Sequence, residues 1–310
     1  MIGRIRCITL AALGLVPASG TARALASPQP VIVSADWLRA HHSDPDLVII
    51  AIDMPSMGEM PDPYPNGHIP GARVLEYHAI ATMGGEHELS TELVSADSLK
   101  SVFESLGVSD KSRIILYASS RVPTIVTRTF FTLDYLGLGE RVSVLDGGLD
   151  AWKVAGGKVE KGAPRNYPRG LLHLNTRPEV LVTGPWLRGH LTDRSFTLVD
   201  ARAPEFYTGA KEGHSASALG HVPSAHNLYY ATLLDSKGFF KPDVEARALF
   251  EQAGVPINKP VIVYCHIGQT ATVVYFEARR LGIPVKLYDG SFEDWSRHTD
   301  YPRSKGTTPE

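Results

Sequence analysis

Short apolar runs of strand length alternate along this chain with stretches whose apolar residues recur at helical spacing. In the first half, the runs Leu47–Ile52, Ile114–Tyr117 and Val142–Leu145 predict buried strands. Between them, Ser95 precedes one amphipathic helical pattern and a second helix is predicted over residues 124–136. This alternation indicates an α/β fold built on an open, mainly parallel sheet that is flanked by helices.

The same order of segments recurs about 147 residues later in the chain. The turn Gly67–Ala72 returns as Gly220–Ala225, for example, and the strand that ends at Asp53 returns as Thr197–Asp200. Six matches in one order indicate a duplicated domain, because solenoid repeats are only about 20–50 residues long. The predicted organisation is a signal peptide at 1–26, a first domain at 30–158, a linker rich in Gly, Pro, Lys and Arg at 159–178, and a second domain at 179–303.

The segment from Val261 to Arg279 carries the candidate chemistry. Four apolar residues lead into Cys265, a loop containing Gly268 follows, and a helical pattern begins near Thr270. A loop that feeds a helix directs several backbone N–H groups and the positive end of the helix dipole toward one point, which favours an anion. A thiol at that point ionises more readily, so we expect a reactive, partly exposed cysteine. An inert cysteine that is buried behind a strand is the alternative.

The two copies differ at the position of the cysteine. The first copy has Ala118 where the second has Cys265, and alanine has no group that could ionise or attack. The loop after Ala118 also includes Pro123, which lacks an amide donor. Chemistry is therefore expected in the second copy alone.

The first 26 residues differ from the remainder of the chain. Arg4 and Arg6 precede a short apolar run, and residues 24–26 have the small-x-small pattern of a signal peptidase site. The apolar run is too short to span a bilayer, so we expect export to the periplasm or the medium. Cleavage would remove Cys7, exclude a disulfide within the chain, and leave 28 basic against 33 acidic residues, a formal net charge of −5. Neither nucleic-acid binding nor membrane association of the mature form is expected.

The histidines do not predict a metal site. His68 and His221 occupy matched turns in both copies, which favours a role in the fold over one in catalysis. His214, His221 and His226 do not have the spacing of a standard zinc site. No metal and no other cofactor is expected.

Taken together, these features resemble a tandem rhodanese-domain sulfurtransferase over about residues 31–302. The segments that carry the resemblance are Gly67–Ala72, Gly220–Ala225, the Cys265 loop and the paired Asp-Gly endings at Asp146 and Asp289. The resemblance implies an inactive first domain and an active second one, in which Cys265 takes sulfur from a small anionic donor as a persulfide and passes it to a thiol or cyanide. The groups implied to hold the negative charge are the backbone N–H groups of His266, Ile267, Gly268, Gln269, Thr270 and Ala271.

The resemblance does not specify the sulfur donor, but individual residues of the loop favour one of the known donors. The 3-mercaptopyruvate branch usually has the loop Cys-Gly-Ser-Gly-Val-Thr-Ala, with the serine proposed to assist proton transfer, whereas Ile267 has no hydroxyl. The vertebrate thiosulfate branch supplies basic loop residues, of which His266 alone is present. We therefore predict thiosulfate, by similarity to the bacterial enzymes. Asp200 is expected as structural support and Arg202 as support or as a donor contact, while Phe206 replaces a second arginine of some members and weakens the anion clamp.

A cysteine phosphatase and a sulfur carrier are the two alternative functions for such a loop. A cysteine phosphatase needs an arginine about six residues after the cysteine to bind phosphate, but position 271 is alanine and the next arginine is Arg279. A periplasmic sulfur carrier that holds the persulfide without turnover remains open, because it needs the same loop.

Overall fold

The structure of the protein, a computed structural model, describes residues 29–54, 63–118, 123–213 and 218–309. The predicted signal peptide with Cys7 lies outside the described residues, as do His214 and residues 119–122 of the loop after Ala118. In the described part of the chain, no helix combines the length and the apolar character that a membrane crossing requires.

Each half of the chain forms one five-stranded sheet with helices on both sides. The elements of the first half are β1 (Ile32–Val33), α1 (Ala35–His41), β2 (Leu47–Asp53), α2 (Pro63–Asn66), β3 (Arg73–Glu76), β4 (Ala81–Met83), β5 (Ser90–Leu93), α3 (Ala96–Ser105), β6 (Arg113–Ala118), α4 (Pro123–Tyr135), β7 (Val142–Leu145) and α5 (Gly148–Val154). Those of the second half are β8 (Leu181–Val182), α6 (Gly184–Gly189), β9 (Thr197–Asp200), α7 (Pro204–Tyr207), β10 (His226–Asn227), α8 (Asp243–Gln252), β11 (Val261–Tyr264), α9 (Ala271–Arg280), β12 (Val285–Tyr288) and α10 (Ser291–Arg297).

The two sheets have one topology. The strand order is β1-β7-β6-β2-β3 in the first half and β8-β12-β11-β9-β10 in the second, and neighbouring strands in both sheets are parallel. Strands β6 and β11 occupy the middle of their sheets, which accounts for their nearly continuous apolar sequences. The predicted α/β class and the predicted duplication are confirmed.

Side-chain caps begin equivalent helices in the two copies. Ser34 Oγ accepts a hydrogen bond from the Trp37 N–H at 3.1 Å before α1, and Thr183 Oγ1 accepts one from the Trp186 N–H at 3.4 Å before α6. Ser95 caps α3 in the same way, with 3.2 Å between its Oγ and the amide nitrogen three residues on. These caps satisfy N–H groups that have no partner within their own helix.

The paired histidines of the Gly-His turns serve the fold, as predicted. His68 stacks on the Tyr64 ring at 4.0 Å and its Nδ1 lies 3.1 Å from the Tyr64 carbonyl oxygen. In the second copy, His221 stacks on Tyr207 at 3.8 Å and its Nδ1 lies 2.8 Å from the Tyr207 carbonyl oxygen. Because the first copy, which has no cysteine at the matching position, makes the same contacts as the second, these contacts do not depend on the cysteine loop.

The two halves meet through helices α4 and α9. Phe130 packs edge-on against Phe276, with ring centroids 4.9 Å apart. Asp134 of α4 is buried beneath this contact and pairs with Arg177 at 2.6 Å and with Arg279 of α9 at 3.0 Å. Since α9 follows directly on the cysteine loop, this packing places the loop between the two halves.

Candidate active site

Cys265 follows the last residue of β11 and is a free cysteine. Its N–H donates to Ser291 Oγ at 3.1 Å, and its carbonyl accepts from the Phe292 N–H at 3.0 Å. The side chain is fully buried, with 0% of the residue exposed. The expectation of a partly exposed thiol is therefore wrong, because Cys265 lies within an apolar core to which both copies contribute. A donor can reach this sulfur only when neighbouring side chains move.

The loop after Cys265 presents backbone N–H groups without partners. In the described part of the chain, the amides of residues 267–271 have no hydrogen-bond acceptor. Thr270 occupies the N-cap position of α9 without a side-chain cap, so the positive end of the helix opens onto the loop. This geometry suits an anion beside Cys265, as the sequence predicted for an active loop.

Gly268 allows the turn that brings these amides together. Its φ is +77°, in the left-handed region that favours glycine. A Cβ at this position would lie 2.4 Å from the Asp289 carbonyl oxygen, so no other residue fits without displacement of the backbone. The predicted binding residue Gly268 is thus required by the loop conformation.

The side chains of the predicted loop residues point to different surroundings. The His266 ring packs edge-on against the Phe206 ring, with centroids 4.6 Å apart, and Lys211 Nζ lies 5.0 Å from the centroid of the same Phe206 ring. Gln269 Nε2 donates to Thr124 Oγ1 of the first copy at 3.2 Å. Ala271 is buried, while Ile267 and Thr270 are half-buried. The side chains of His266 and Gln269 therefore anchor the loop in two directions.

Besides Thr124, three further side chains of the first copy bond directly to the loop and the start of α9. Thr91 Oγ1 donates to the Ile267 carbonyl, and Arg128 Nη1 donates to the Gly268 carbonyl at 3.1 Å. Thr127 Oγ1 lies 2.9 Å from the hydroxyl oxygen of Thr272 in α9. Sequence reasoning missed these residues. The one available signal was an arginine within an apolar and threonine-rich helix, where a charge is costly unless it is paired.

Arg128 reaches across the interface to the Asp-Gly ending of the second copy. Its side chain is fully buried and forms a two-pronged ion pair with Asp289, in which Nη2 lies 3.2 Å from Oδ2. The Leu93 N–H, from hairpin β4–β5, donates to the same Oδ2 at 3.0 Å. Burial opposes the charge on Arg128, but the Asp289 carboxylate more than offsets it and raises the pKa of the guanidinium. The first copy thereby places a permanent positive charge behind the cysteine loop.

Arg202 is engaged with Asp200. Its Nη2 lies 2.6 Å from Asp200 Oδ2 and 2.8 Å from the Gly220 carbonyl oxygen, and its guanidinium covers the Phe292 ring at 4.0 Å. Only 2% of Arg202 is exposed, and burial and the Asp200 carboxylate act on its pKa in opposite directions, with a net rise. These contacts favour the predicted support role for both residues. The contact of Arg202 with a donor stays a prediction.

A cavity of about 700 Å³ lies at the equivalent place in the first copy. It is lined by Ala118, Pro123 and Gly147, and by Phe239 and Phe240 of the second copy. The cavity therefore lies beside Ala118, the position that matches Cys265 in the second copy.

The fold and the site define a duplicated α/β protein with one cysteine loop, built on the second sheet and closed by the first copy. The chain belongs to the rhodanese family, since the family model described as Rhodanese-like domain matches residues 34–155 and again residues 183–298. It is 33% identical over 278 residues to 3-mercaptopyruvate sulfurtransferase of Escherichia coli K12, which covers 87% of this chain and 96% of the relative. It is 27% identical over 274 residues to thiosulfate sulfurtransferase of Azotobacter vinelandii, and this match covers 88% of this chain and 96% of the relative.

A solved structure of the same class agrees with this assignment. The crystal structure of the E. coli 3-mercaptopyruvate sulfurtransferase SseA superposes with a TM-score of 0.74 at 30% identity, over 85% of this chain and 99% of that one. The predicted tandem rhodanese organisation is thus confirmed.

Proposed function

We propose that the protein is a sulfurtransferase that moves sulfane sulfur from thiosulfate through a Cys265 persulfide. The Cys265 thiolate attacks the outer sulfur of thiosulfate, the S–S bond of the donor breaks, and sulfite leaves with the electron pair. Cyanide or a thiolate then attacks the outer sulfur of the persulfide and releases the Cys265 thiolate. The observation that carries the proposal is the set of unpartnered amides at residues 267–271 beside this sulfur.

The choice of thiosulfate depends on the basic groups around the site. A donor carboxylate, as in 3-mercaptopyruvate, is best bound by a two-pronged arginine. Arg202 is already held by Asp200, and Phe206 stands where some members have a second arginine. A donor held by backbone amides needs neither side chain, which favours thiosulfate.

3-Mercaptopyruvate is the second candidate donor. It is favoured by the 33% identity to the E. coli 3-mercaptopyruvate sulfurtransferase, against 27% to the A. vinelandii thiosulfate enzyme. Ile267 counts against it, because the loop then lacks the hydroxyl that the resemblance associates with proton transfer in that branch.

Steady-state kinetics with both donors tests the proposal. Thiocyanate formation from cyanide should show a higher kcat/KM with thiosulfate than with 3-mercaptopyruvate, and the reverse order would reassign the donor. Cys265→Ser should abolish turnover with either donor and leave the melting temperature nearly unchanged. A single burst of thiocyanate without turnover would instead indicate the sulfur-carrier alternative. The intact mass after mixing with thiosulfate should increase by one sulfur atom, and this increase should be absent in Cys265→Ser.

We also propose that the protein acts outside the cytoplasm, on the basis of the signal pattern at 1–26. Recovery of a periplasmic form that begins near Ser27 would support this, and a full-length cytoplasmic form would contradict it.

A further inference from the structure

Thr91 of the first copy has a backbone conformation that threonine rarely adopts. In hairpin β4–β5, the cross-strand pairs on either side of it are Ala81–Leu93 and Met83–Ser90. Two residues of β5 therefore face one residue of β4, in a β-bulge whose first member is Thr91. Its φ of +60° lies in the left-handed region that favours glycine. A β-branched residue in this region is a backbone outlier, and strain of this kind is found mainly at functional sites.

The matching position in the second copy carries glycine. The two hairpins align through Leu93 and Phe240, whose N–H groups donate to the matching aspartates, and Gly238 then corresponds to Thr91. The φ of Gly238 is +85°, so both hairpins have a left-handed residue at this point. Glycine meets that backbone requirement in the second copy without strain. The threonine of the first copy therefore needs a reason beyond the turn itself.

The side chain of Thr91 supplies this reason. Its Oγ1 donates to the carbonyl of Ile267, two residues after Cys265, and only 8% of Thr91 is exposed. Because the C=O and N–H groups of a trans peptide point in opposite directions, this bond turns the Gly268 N–H away from the hairpin. That N–H is one of the unpartnered amides of the loop. Arg128 holds the next peptide in the same way, through the Gly268 carbonyl at 3.1 Å.

Backbone hydrogen bonds on both sides of Thr91 hold the hairpin on the second copy. The Ser90 N–H donates to Glu293 Oε2 at 2.9 Å, and the Leu93 N–H donates to Asp289 Oδ2 at 3.0 Å. Withdrawal of the hairpin from the loop would break these bonds. The Thr91 hydroxyl is therefore in place before a sulfur donor binds.

We propose that Thr91 is a positioning residue, whose hydroxyl fixes the Ile267–Gly268 peptide so that the Gly268 N–H is available to an anion beside Cys265. The inference rests on the proposed function and deepens it, because it assigns the orientation of one anion-binding amide to a side chain of the first copy. The bulge directs this side chain at the loop. Amides that are already oriented need no rearrangement during the reaction, whereas a peptide without its donor can rotate and turn its N–H away.

Thr91→Val keeps the branched shape and the strained backbone but removes the hydroxyl. We expect kcat/KM with the preferred donor to fall by about 10-fold, as loss of one hydrogen bond would give. Thr91→Ser keeps the hydroxyl and should stay within about threefold of the wild type. Gly238→Thr is the matched control, because it places the same strained residue in the hairpin of the second copy. It should lower the melting temperature and leave kcat/KM unchanged.

Thr91→Gly separates positioning from stability. It introduces the residue of the second copy and relieves the strain that Thr91→Val retains, so it should melt at a higher temperature than Thr91→Val. Its kcat/KM should nevertheless be as low, because both variants lack the hydroxyl. Wild-type kcat/KM in either variant would overturn the proposal, and so would a Thr91→Ser variant that is no more active than Thr91→Val.

Alkylation of Cys265 tests the same role without sulfur transfer. Iodoacetate is negatively charged and iodoacetamide is neutral, so the ratio of their rate constants reports how well the loop amides hold an anion beside the sulfur. We expect a lower ratio in Thr91→Val than in the wild type and a restored ratio in Thr91→Ser, and an equal ratio in all three would contradict the proposal. If the wild type transfers sulfur from neither donor, the proposed function fails, yet the alkylation ratio still decides the role of Thr91.

Discussion

The ion pair between Arg128 and Asp289 gives the sharpest test of how the two copies depend on each other. Arg128→Met removes the guanidinium and keeps a side chain of similar length, which leaves Asp289 as a buried carboxylate without its ionic partner. One hydrogen bond to this carboxylate, from the Leu93 N–H, remains. Loss of one member of a buried pair costs about 3–5 kcal/mol. We expect the free energy of unfolding to fall by about this amount.

A double-mutant cycle separates the pair from its surroundings. Asp289→Asn keeps an acceptor for the Leu93 N–H but removes the negative charge, so Arg128 becomes the unpaired ion. The double variant Arg128→Met/Asp289→Asn should be less destabilised than the sum of the two single variants, by about 1–3 kcal/mol, because neither charge is then left buried alone. Arg113→Met is the matched control, since Arg113 forms a partly exposed pair with Asp44 and should cost about 1 kcal/mol or less.

Urea unfolding followed by both tryptophan fluorescence and circular dichroism is the appropriate assay, because a two-domain chain can unfold in two steps and the two signals then separate. The kcat/KM of Arg128→Met should also fall, since the Gly268 carbonyl loses its donor and the loop its anchor. Two results would refute the reasoning. One is that Arg128→Met and Arg113→Met have equal free energies of unfolding, and the other is that the losses of stability in the double-mutant cycle are strictly additive.

Two further predictions concern single residues near the site, Gly268 and Glu92. Gly268→Ala should abolish most sulfur transfer, because the new Cβ would lie 2.4 Å from the Asp289 backbone oxygen. Gly282→Ala is the control, since Gly282 also has a positive φ, +75°, but has open space around it. That variant should lower the free energy of unfolding by only about 1–2 kcal/mol. Burial and, second, the negative charge of Asp289 raise the pKa of Glu92 to about 7. Because the unfolded chain loses this proton near pH 4.5 while the folded protein keeps it, the free energy of unfolding should decline as pH rises from about 4.5 to 7. Glu92→Gln should therefore raise the melting temperature at about pH 8 and change it little at about pH 5; an equal shift at both values would exclude this origin.

The fold could be predicted from the sequence because its determinants are local. Strand β11 and helix α9 follow from apolar patterns only four to ten residues long, and the Ser34 and Thr183 caps act on amides three residues away. The duplication is visible because each copy repeats these local signals in one order. Gly268 and the amides that follow Cys265 were also predictable, since the loop is built within a few residues of the cysteine.

The contacts that close the site could not be predicted in this way. Arg128 meets Gly268 across 140 residues of sequence, and Thr91 meets Ile267 across 176. The Arg128 contact depends on how α4 packs against α9, and the Thr91 contact depends on where the β4–β5 hairpin lies; the local patterns specify neither. The burial of Cys265 could not be predicted either, because the apolar core that contains it includes residues of both copies. The strand-loop-helix pattern alone predicts a partly exposed thiol where the structure has a buried one.

The contacts between the two copies are only partly symmetric. The hairpin contacts are nearly symmetric: the Leu93 N–H donates to Asp289 at 3.0 Å, and the Phe240 N–H donates to the matching Asp146 at 3.1 Å. The helix contacts are not. The position that matches Arg128 in the second copy, 147 residues later, is Tyr275, which carries no charge and bonds Asp134 instead. Among the described residues, this buried arginine thus stands behind the loop that contains the cysteine and has no charged counterpart at the matching position. The first copy supplies this charge through Arg128, so an isolated second domain should lack it.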